Sequence, residues 1–330
     1  MAKTIEDLKK SRLWRKQVEA YFGHDIPESI LVHDRAQKAI DLMIDEGGRD
    51  YASTGGREIV INGKPVRAFE ISSRGARFGA LSRFPQSVGR TLVLLYSCPG
   101  DTVVDPFAGH NSRMELCWRC GRNYIGHDIS HEFMRANHAI KAQLMEERRL
   151  DLFADDFIAR IILHEGDSRH MITPDETGDF TITSPPYWDL EYYGDEPAQI
   201  GTGKSYGDFL FNLELIAKEN FRVLKPGAFC VWAVNDFRKG GKFYPYHEHT
   251  AQILRNAGFM QHDTCITDLG QSMHQAFAAR LFDLKILAKR HEYNLIFRKP
   301  PQASCDADNG GIADYIEKPP RNDPDELFTI

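Results

Sequence analysis

A short apolar run that ends in two consecutive prolines is the feature that most restricts the fold of this chain. The run Asp179–Ile182 continues through Thr183 and Ser184 into Pro185 and Pro186. Its length and apolarity are typical of a buried strand of a parallel sheet. The strand has to end at the prolines, because neither ring can donate to the ladder and each restricts the residue before it. We therefore predict a stiff loop at the carboxyl edge of an α/β sheet, where such folds bind ligands.

The residues of this loop suit a flat heterocycle that carries an amino group. Ser184 offers a hydroxyl, the prolines lie next to backbone carbonyls, and Tyr187 and Trp188 offer aromatic faces. The oxygens would accept hydrogen bonds from the amino group, and the heterocycle would stack on Tyr187. Taken alone, the stretch leaves open a rigid loop without catalytic function.

The composition is that of an ordinary soluble globular protein. Of 330 residues, 42% are hydrophobic and 27% are charged, and no apolar run is long enough to predict a transmembrane helix. The N-terminus is polar and the six cysteines are scattered, so we expect a cytoplasmic protein without disulfides. Because the formal charge is −6, any contact with nucleic acid has to come from local basic patches.

The chain is predicted to have three parts. Residues 1–85 form an N-terminal extension of helices and a hairpin, whose turn is Asn62-Gly63. Residues 86–300 form the α/β domain, because strand-like and helix-like segments alternate there. Residues 301–330 are polar and rich in acids and prolines, and we expect a disordered tail.

A second strand with a glycine turn indicates a nucleoside-like ligand. The predicted strand Thr102–Phe107 ends in a turn at Gly109, and a helix follows from about Arg113. This arrangement lets the backbone approach a ligand closely. The next strand, Asn123–Asp128, ends in an acid roughly 20 residues after the turn, where a carboxylate would bind the hydroxyls of a ribose.

The turn does not have the sequence that pyrophosphate-containing ligands require. Gly109–Met114 lacks the G-x-G-x-x-G pattern of NAD sites, whereas S-adenosylmethionine has no phosphate and does not need it. Gly201–Ser205 looks like the end of a phosphate-binding loop, but Ala198 stands where that pattern needs glycine and no strand precedes it. S-adenosylmethionine is therefore favoured over NAD, and ATP is rejected.

Two segments resemble motifs of the DNA amino-methyltransferase family. Ser184–Tyr187 resembles its catalytic motif, S/D/N-P-P-Y/F/W. Asp105–Phe107 with Gly109 resembles its cofactor motif, D-P-F-x-G-x-G, with Asn111 in place of the last glycine. Asparagine tolerates positive φ better than most residues. The resemblance covers about two-thirds of the chain, with its elements in the expected order.

The resemblance implies a Rossmann-like methyltransferase fold that uses S-adenosylmethionine. Its sheet would be mostly parallel and seven-stranded, closed by an antiparallel hairpin, and preceded by the N-terminal extension. The implied cofactor-binding residues are Asp105, Phe107, Gly109, Asn111, Ser112, Asp128, Asp167 and Ser168. Asp167 would contact the adenine amino group, although a turn-capping function is equally compatible with its position. No metal site is expected.

The resemblance also implies catalytic and substrate-binding residues. The catalytic set is Ser184, Pro185, Pro186 and Tyr187. The substrate-binding set is Trp188, Arg238, Lys239 and Lys242, where the basic run would contact DNA phosphates or form a merely solvated loop. His291–Tyr293 resembles a late motif that helps to frame the base pocket.

DNA is the expected partner, with the target base flipped out of the duplex. In this family, serine at the position of Ser184 points to cytosine N4. Adenine N6 is the alternative, and an RNA methyltransferase or an inactive nucleic-acid-binding protein is a second one. Target recognition is left to residues 1–85, to Asp268–Arg290 or to a second subunit. A homodimer and a restriction endonuclease partner are left open.

Overall fold

The structure is a computed structural model that describes residues 5–23, 27–32, 58–61, 64–67, 84–109, 112–150, 159–191, 193–201, 203–269 and 278–301. Within them, the α-helices are α1 (Ile5–Phe22), α2 (Gln86–Tyr96), α3 (Ser112–Arg119), α4 (His131–Leu150), α5 (Tyr206–Val223), α6 (Tyr246–Asn256) and α7 (Ala278–Asp283). The strands are β1 (Ile30–Val32), β2 (Glu58–Ile61), β3 (Lys64–Arg67), β4 (Thr102–Asp105), β5 (Asn123–Asp128), β6 (Ile161–Glu165), β7 (Gly178–Thr183), β8 (Leu224–Val234), β9 (Phe237–Lys239), β10 (Lys242–Tyr244), β11 (Met260–Asp268) and β12 (His291–Arg298).

The main sheet has the strand order β1-β11-β12-β8-β7-β4-β5-β6. The strands from β8 to β6 run parallel to their neighbours, whereas β12 is antiparallel to both β8 and β11. The Rossmann-like fold, the mostly parallel sheet and the antiparallel closing hairpin are thereby confirmed.

The predicted number of strands was wrong by one. Strand β1, from the N-terminal extension, pairs in parallel with the outer edge of β11, with Ile30 opposite Ile266. The backbone N–H of Ile266 donates to the carbonyl of Ser29 at 2.8 Å. A strand of three residues is too short to show the alternation from which strands are predicted, so the sheet has eight strands among the described residues.

Helices cover both faces of the sheet, as expected for strands that are apolar throughout. On one face, α2, α3 and α4 pack against Val103, Phe180 and Ile182. On the other face, α5 and α6 pack around Trp232, which is fully buried. Its indole N–H lies 3.2 Å from the side-chain oxygen of Asn220, so the one polar group of this ring is satisfied inside the core.

The strand directions determine which residues meet at one edge. Because β4, β5 and β7 are parallel, their last residues, Asp105, Asp128 and Thr183, lie at the same edge of the sheet. Strand β12 runs the opposite way, so its first residues lie there too, with Tyr293 opposite Val234 near the end of β8.

Some predictions concern other parts of the chain. Helix α1 and the β2–β3 hairpin occur where the N-terminal extension was expected, but the Asn62-Gly63 turn and residues 302–330 lie outside the described residues. The division into 1–85, 86–300 and 301–330 therefore stays a prediction. None of the helices that the structure describes is long and apolar enough to span a bilayer.

The basic run, for which the sequence predicted no strand, lies in a hairpin. Strands β9 and β10 pair with Lys242 opposite Lys239, and the turn consists of two glycines with φ of +58° and +79°. Consecutive glycines permit the positive φ values that tight hairpin turns require. We call β9 and β10, with this turn, the basic hairpin.

Candidate active site

An open cavity of about 960 Å³ lies at the carboxyl edge of the sheet. Both predicted halves of the site line it. The predicted residues along its wall are Phe107, Gly109, Asp128, Asp167, Ser168, Ser184, Pro185, Pro186 and Tyr187. The glycine turn and the proline loop (Ser184–Tyr187) therefore face one space.

The end of β5 and the glycine turn form one wall of the cavity. Gly109 has φ of +51°, and its N–H donates to Oδ2 of Asp128 at 2.7 Å. The N–H of Ser130 donates to Oδ1 of Asp128 at 2.8 Å. Burial raises the pKa of Asp128 to about 6, against the lowering effect of these two hydrogen bonds. An ionised carboxylate has about four acceptor positions, so Asp128 can still accept from two neighbouring ribose hydroxyls.

Asp105 lies behind the cavity rather than in its wall. It is fully buried and accepts from the hydroxyl of Tyr124 at 2.8 Å, from that of Thr183 at 2.5 Å and from Nε of Arg113 at 2.7 Å. The N–H of Phe107 also donates to it, at 3.0 Å. These four donors use its acceptor positions, and the predicted contact of Asp105 with the cofactor stays a prediction.

Asp167 lines the cavity, but a neighbour uses both of its oxygens. Nε of Arg169 lies 3.0 Å and 2.9 Å from them, and the N–H of Arg169 donates to Oδ1 at 2.9 Å. Burial alone would raise the pKa of Asp167, but the hydrogen bonds from Arg169 outweigh it and hold the pKa below its ordinary value. The hydroxyl of Ser168 donates to the carbonyl of Pro106 at 2.6 Å. The turn-capping function left open by the sequence is thus present, and the adenine contact stays a prediction.

Of the remaining residues predicted to bind the cofactor, one lines the cavity, and the contacts of the other two are not described by the structure. Phe107 lines the cavity and meets the ring of Trp232 edge-on, with centroids 5.7 Å apart. Asn111 lies outside the described residues, and Ser112 is described only as the first residue of α3. Their contacts with a cofactor therefore stay predictions.

The proline loop has oxygens that no other group of the described residues uses. The carbonyl of Pro186 accepts from the hydroxyl of Tyr246 at 3.0 Å. The hydroxyl of Tyr187 donates to Oε1 of Glu292 at 3.0 Å, and burial, followed by the charge of Glu292, raises the pKa of Tyr187 well above its ordinary value. Among the described residues, none donates to the hydroxyl of Ser184 or the carbonyl of Pro185. These two oxygens can accept from a ligand.

Trp188 packs beneath the basic hairpin and does not line the cavity. Its indole N–H donates to the carbonyl of Lys204 at 2.9 Å, and Nζ of Lys239 lies 4.4 Å from its ring centroid. The same ammonium group forms an ion pair of 2.6 Å with Asp189. The predicted contact of Trp188 with the base is therefore not supported by its position.

Of the basic residues predicted to contact DNA, one forms an ion pair within the protein and two are exposed. Lys239 ties the basic hairpin to the residues that follow the proline loop, through Asp189. Arg238 and Lys242 are exposed, as is Phe243, whose ring lies 5.1 Å from the guanidinium carbon of Arg238. The two exposed cations are the ones available to phosphates.

Comparison with known proteins shows what parts of this chain are similar to. A family model described as DNA methylase matches residues 75–140. The orphan methyltransferase M.BamHII of Bacillus amyloliquefaciens is 36% identical over 92 residues, which are 28% of this chain and 30% of that protein. The type II beta methyltransferase M.BslI of a Bacillus strain is 28% identical over 141 residues, which are 38% of this chain and 15% of that protein.

The chain is therefore similar to DNA methylases over part of its length. These matches do not separate a cytosine-N4 enzyme from an adenine-N6 enzyme, and the chain spans less than a third of the length of either relative. Among solved structures, one is a protein assigned as a DNA modification methylase from Thermus thermophilus, complexed with S-adenosyl-L-methionine. It is 29% identical, the match covers 41% of this chain and 54% of that chain, and the TM-score is 0.31. An S-adenosylmethionine-dependent methyltransferase from Methanosarcina mazei is 14% identical, with 67% and 100% covered and a TM-score of 0.44.

Sequence reasoning missed several residues of the cavity wall. Arg113, Glu191 and Tyr193 line the cavity, although none of them stands in a motif. Glu292 lines it as well, and burial raises its pKa to about 7. The late motif His291–Tyr293 was expected to help to frame the base pocket, but Glu292 itself was not assigned to the site. The sequence offered one signal for Glu292: an acidic residue at the start of a predicted buried strand.

Proposed function

We propose that this chain transfers a methyl group from S-adenosylmethionine to the exocyclic amino group of a base in DNA, with cytosine N4 as the preferred acceptor. One observation carries the proposal. The hydroxyl of Ser184 and the carbonyl of Pro185, which no described residue uses, face the same cavity as Asp128 and the glycine turn. A nucleoside-like cofactor and an amino group would meet there.

The cofactor wall fits S-adenosylmethionine in its donor and acceptor groups. Asp128 would accept from the two ribose hydroxyls, and the backbone at Gly109, whose φ of +51° favours glycine, would approach the ligand closely. Ser168 and Asp167 would border the adenine. When bound, this cofactor supplies a methyl group on a positively charged sulfur.

The proline loop would make the amino nitrogen a better nucleophile. The lone pair of an exocyclic nitrogen is conjugated with the ring, so the group is planar and reacts poorly. Ser184 and Pro185 would accept one hydrogen each, which favours a pyramidal nitrogen with its lone pair directed at the methyl group. Because a serine hydroxyl is too weak a base to deprotonate the amine first, the proton would leave after the N–C bond has formed.

The target base would leave the duplex to react. The oxygens of Ser184 and Pro185 lie in the wall of a cavity, and enzymes that modify a base inside such a cavity extrude it from the stack. Tyr187 would stack on the flipped base, and the exposed Arg238 and Lys242 would contact phosphates beside it. Residues 1–85 are proposed as a DNA-recognition element.

The preference for cytosine rests on the serine of the motif. Among the family's motifs, serine at this position points to cytosine N4, whereas aspartate or asparagine points to adenine N6. The type of base is therefore assigned from Ser184, and adenine N6 is the alternative.

Single replacement of Ser184 and of Tyr187 by alanine tests the proposal. We expect each variant to lose most of the transfer of labelled methyl groups to DNA while it still binds S-adenosylmethionine. Ser205→Ala is the matched control, because Ser205 is exposed and caps α5 outside the cavity. Undiminished transfer by both Ser184→Ala and Tyr187→Ala would overturn the assignment.

A further inference from the structure

Glu292 lines the same cavity as Ser184 and Pro185, whose oxygens are proposed to accept the hydrogens of the target amino group. Strand β12 is antiparallel to β8, which brings its second residue to the edge where the proline loop lies. Glu292 is 8% exposed and lines the cavity, and its Oε1 accepts from the hydroxyl of Tyr187 at 3.0 Å. One oxygen of this carboxyl group therefore accepts a hydrogen bond from Tyr187, whose ring is proposed to stack on the base.

The surroundings of Glu292 favour its neutral form. Tyr187 from the proline loop and Arg113 from α3 face it, but among the described residues no lysine or arginine lies within ion-pair distance. On its own strand, His291 and Tyr293 point to the other face, where they contact each other at 3.1 Å. Burial raises the pKa of Glu292 to about 7, against the lowering effects of Tyr187 and Arg113. Near neutrality the carboxyl can therefore carry a proton.

A neutral carboxyl has a donor as well as an acceptor. In Glu292, one oxygen is already used as the acceptor for Tyr187. The O–H is then available to an acceptor on the edge of the base. In both cytosine and adenine, the ring nitrogen next to the amino-bearing carbon is such an acceptor, and enzymes read flipped bases through hydrogen bonds to this edge.

We propose that Glu292 donates a hydrogen bond to the ring nitrogen beside the target amino group, and holds the ring of Tyr187 in stacking position with its other oxygen. This inference rests on the proposed function. It assigns Glu292 as a specificity-determining residue: a base whose nitrogen at this position carries a hydrogen would confront two donors and be rejected.

Glu292→Gln separates the two contributions of the carboxyl. The glutamine oxygen can still accept from Tyr187, and its NH2 group can donate to the ring nitrogen at every pH. We expect kcat/KM of the wild type on mixed-sequence DNA to fall above pH 7, approaching tenfold per pH unit. The Glu292→Gln variant should show no such fall. S-adenosylmethionine binding at pH 6 and thermal unfolding at pH 4.5 should match the wild type.

Two further variants complete the experiment. Tyr187→Phe removes the anchored hydroxyl and leaves Glu292 in place, so it should keep the alkaline fall. Glu214→Gln on α5 is the matched control, because Glu214 pairs with Lys218 away from the cavity; it should keep the wild-type profile.

The outcomes distinguish this inference from the proposed function. A wild-type enzyme that transfers methyl groups, with the same alkaline fall in Glu292→Gln, would overturn the assignment of Glu292 alone. A Tyr187→Phe variant with a flat profile would also overturn it, because the titration would then act through the tyrosine anchor. Absence of transfer by the wild type at every pH would overturn the proposed function and this inference together.

Discussion

The hydroxyl of Thr183 donates a 2.5 Å hydrogen bond to Oδ1 of Asp105, which joins the last residues of two neighbouring parallel strands. Asp105 precedes the glycine turn, and Thr183 precedes the proline loop. Both residues are fully buried. The bond therefore fixes the two walls of the cavity relative to each other, through the strands rather than through the loops.

Replacement of Asp105 by alanine should strongly destabilise the fold. It would leave the buried guanidinium group of Arg113 without its counter-ion, and loss of one partner of a buried pair costs about 3–5 kcal/mol. Thr183→Val removes a single donor and should cost about 1–2 kcal/mol. Urea unfolding measures both changes. Asp175→Ala is the control, since Asp175 is 72% exposed in its ion pair with Arg222. Equal losses in Asp105→Ala and Asp175→Ala would contradict the prediction.

The affinity for S-adenosylmethionine should depend on the ionisation of Asp128. Burial raises the pKa of this carboxyl to about 6, and hydrogen bonds from ribose hydroxyls would favour its charged form. Affinity should be constant above pH 7 and should fall below pH 6, approaching tenfold per pH unit. Calorimetric titration between pH 5 and pH 8 measures this dependence. Asp128→Asn should bind weakly at every pH, and a flat wild-type profile would count against the ribose contact.

Glu292→Gln should stabilise the protein at alkaline pH. Burial raises the pKa of Glu292 from its ordinary 4.5 to about 7. A group with a raised folded-state pKa contributes stability that is complete below its unfolded pKa and is lost as pH rises through its folded pKa. Relative to pH 4.5, the variant should therefore gain up to about 3 kcal/mol over the wild type at pH 8.

Glu214→Gln is the control for this measurement, because the pKa of Glu214 is shifted in the opposite direction. Hydrogen bonds from Lys218 and Asn256 lower the pKa of Glu214, so its contribution is lost at acid pH instead. Glu214→Gln should bring no gain at pH 8. Denaturant unfolding at pH 4.5 and pH 8 measures both changes. An equal change in the free energy of unfolding for the two variants would contradict the raised pKa of Glu292.

The basic hairpin should contribute to DNA affinity through its two exposed cations. Arg238→Ala and Lys242→Ala should each weaken binding uniformly across sequences and reduce the slope of log affinity against log salt by about 1. Fluorescence anisotropy with duplex DNA at several salt concentrations measures the slope. Lys218→Ala is the control, since Lys218 lies on α5 in an ion pair with Glu214. An equal change in slope for Lys218→Ala would show that the effect is not local.

The sequence predicted those parts of the site that local chemistry determines. A double proline ends a strand, a glycine turn follows another, and parallel strands bring their carboxyl ends to one edge. The positions of Ser184, Gly109 and Asp128 follow from these rules. The sheet and its closing hairpin follow from the same alternation of strands and helices.

The remaining features depend on contacts between distant residues. The role of Asp105 is determined by Thr183, 78 positions away, and by Arg113 on the next helix. Glu292 reaches the cavity only because β12 reverses direction, and it meets Tyr187 across 105 positions. Trp188 is covered by Lys239 because the basic run, for which no strand was predicted, folds into a hairpin. None of these pairings leaves a local pattern.

Methyl transfer to mixed-sequence DNA, followed by identification of the product, is the most direct test of the proposed activity. The protein would be incubated with labelled S-adenosylmethionine and DNA, and the DNA digested to nucleosides for mass spectrometry. We predict N4-methylcytosine. N6-methyladenine would preserve the transfer to an amino group but contradict the base assigned from Ser184. No methylated base, with the cofactor still bound, would contradict the proposed function itself.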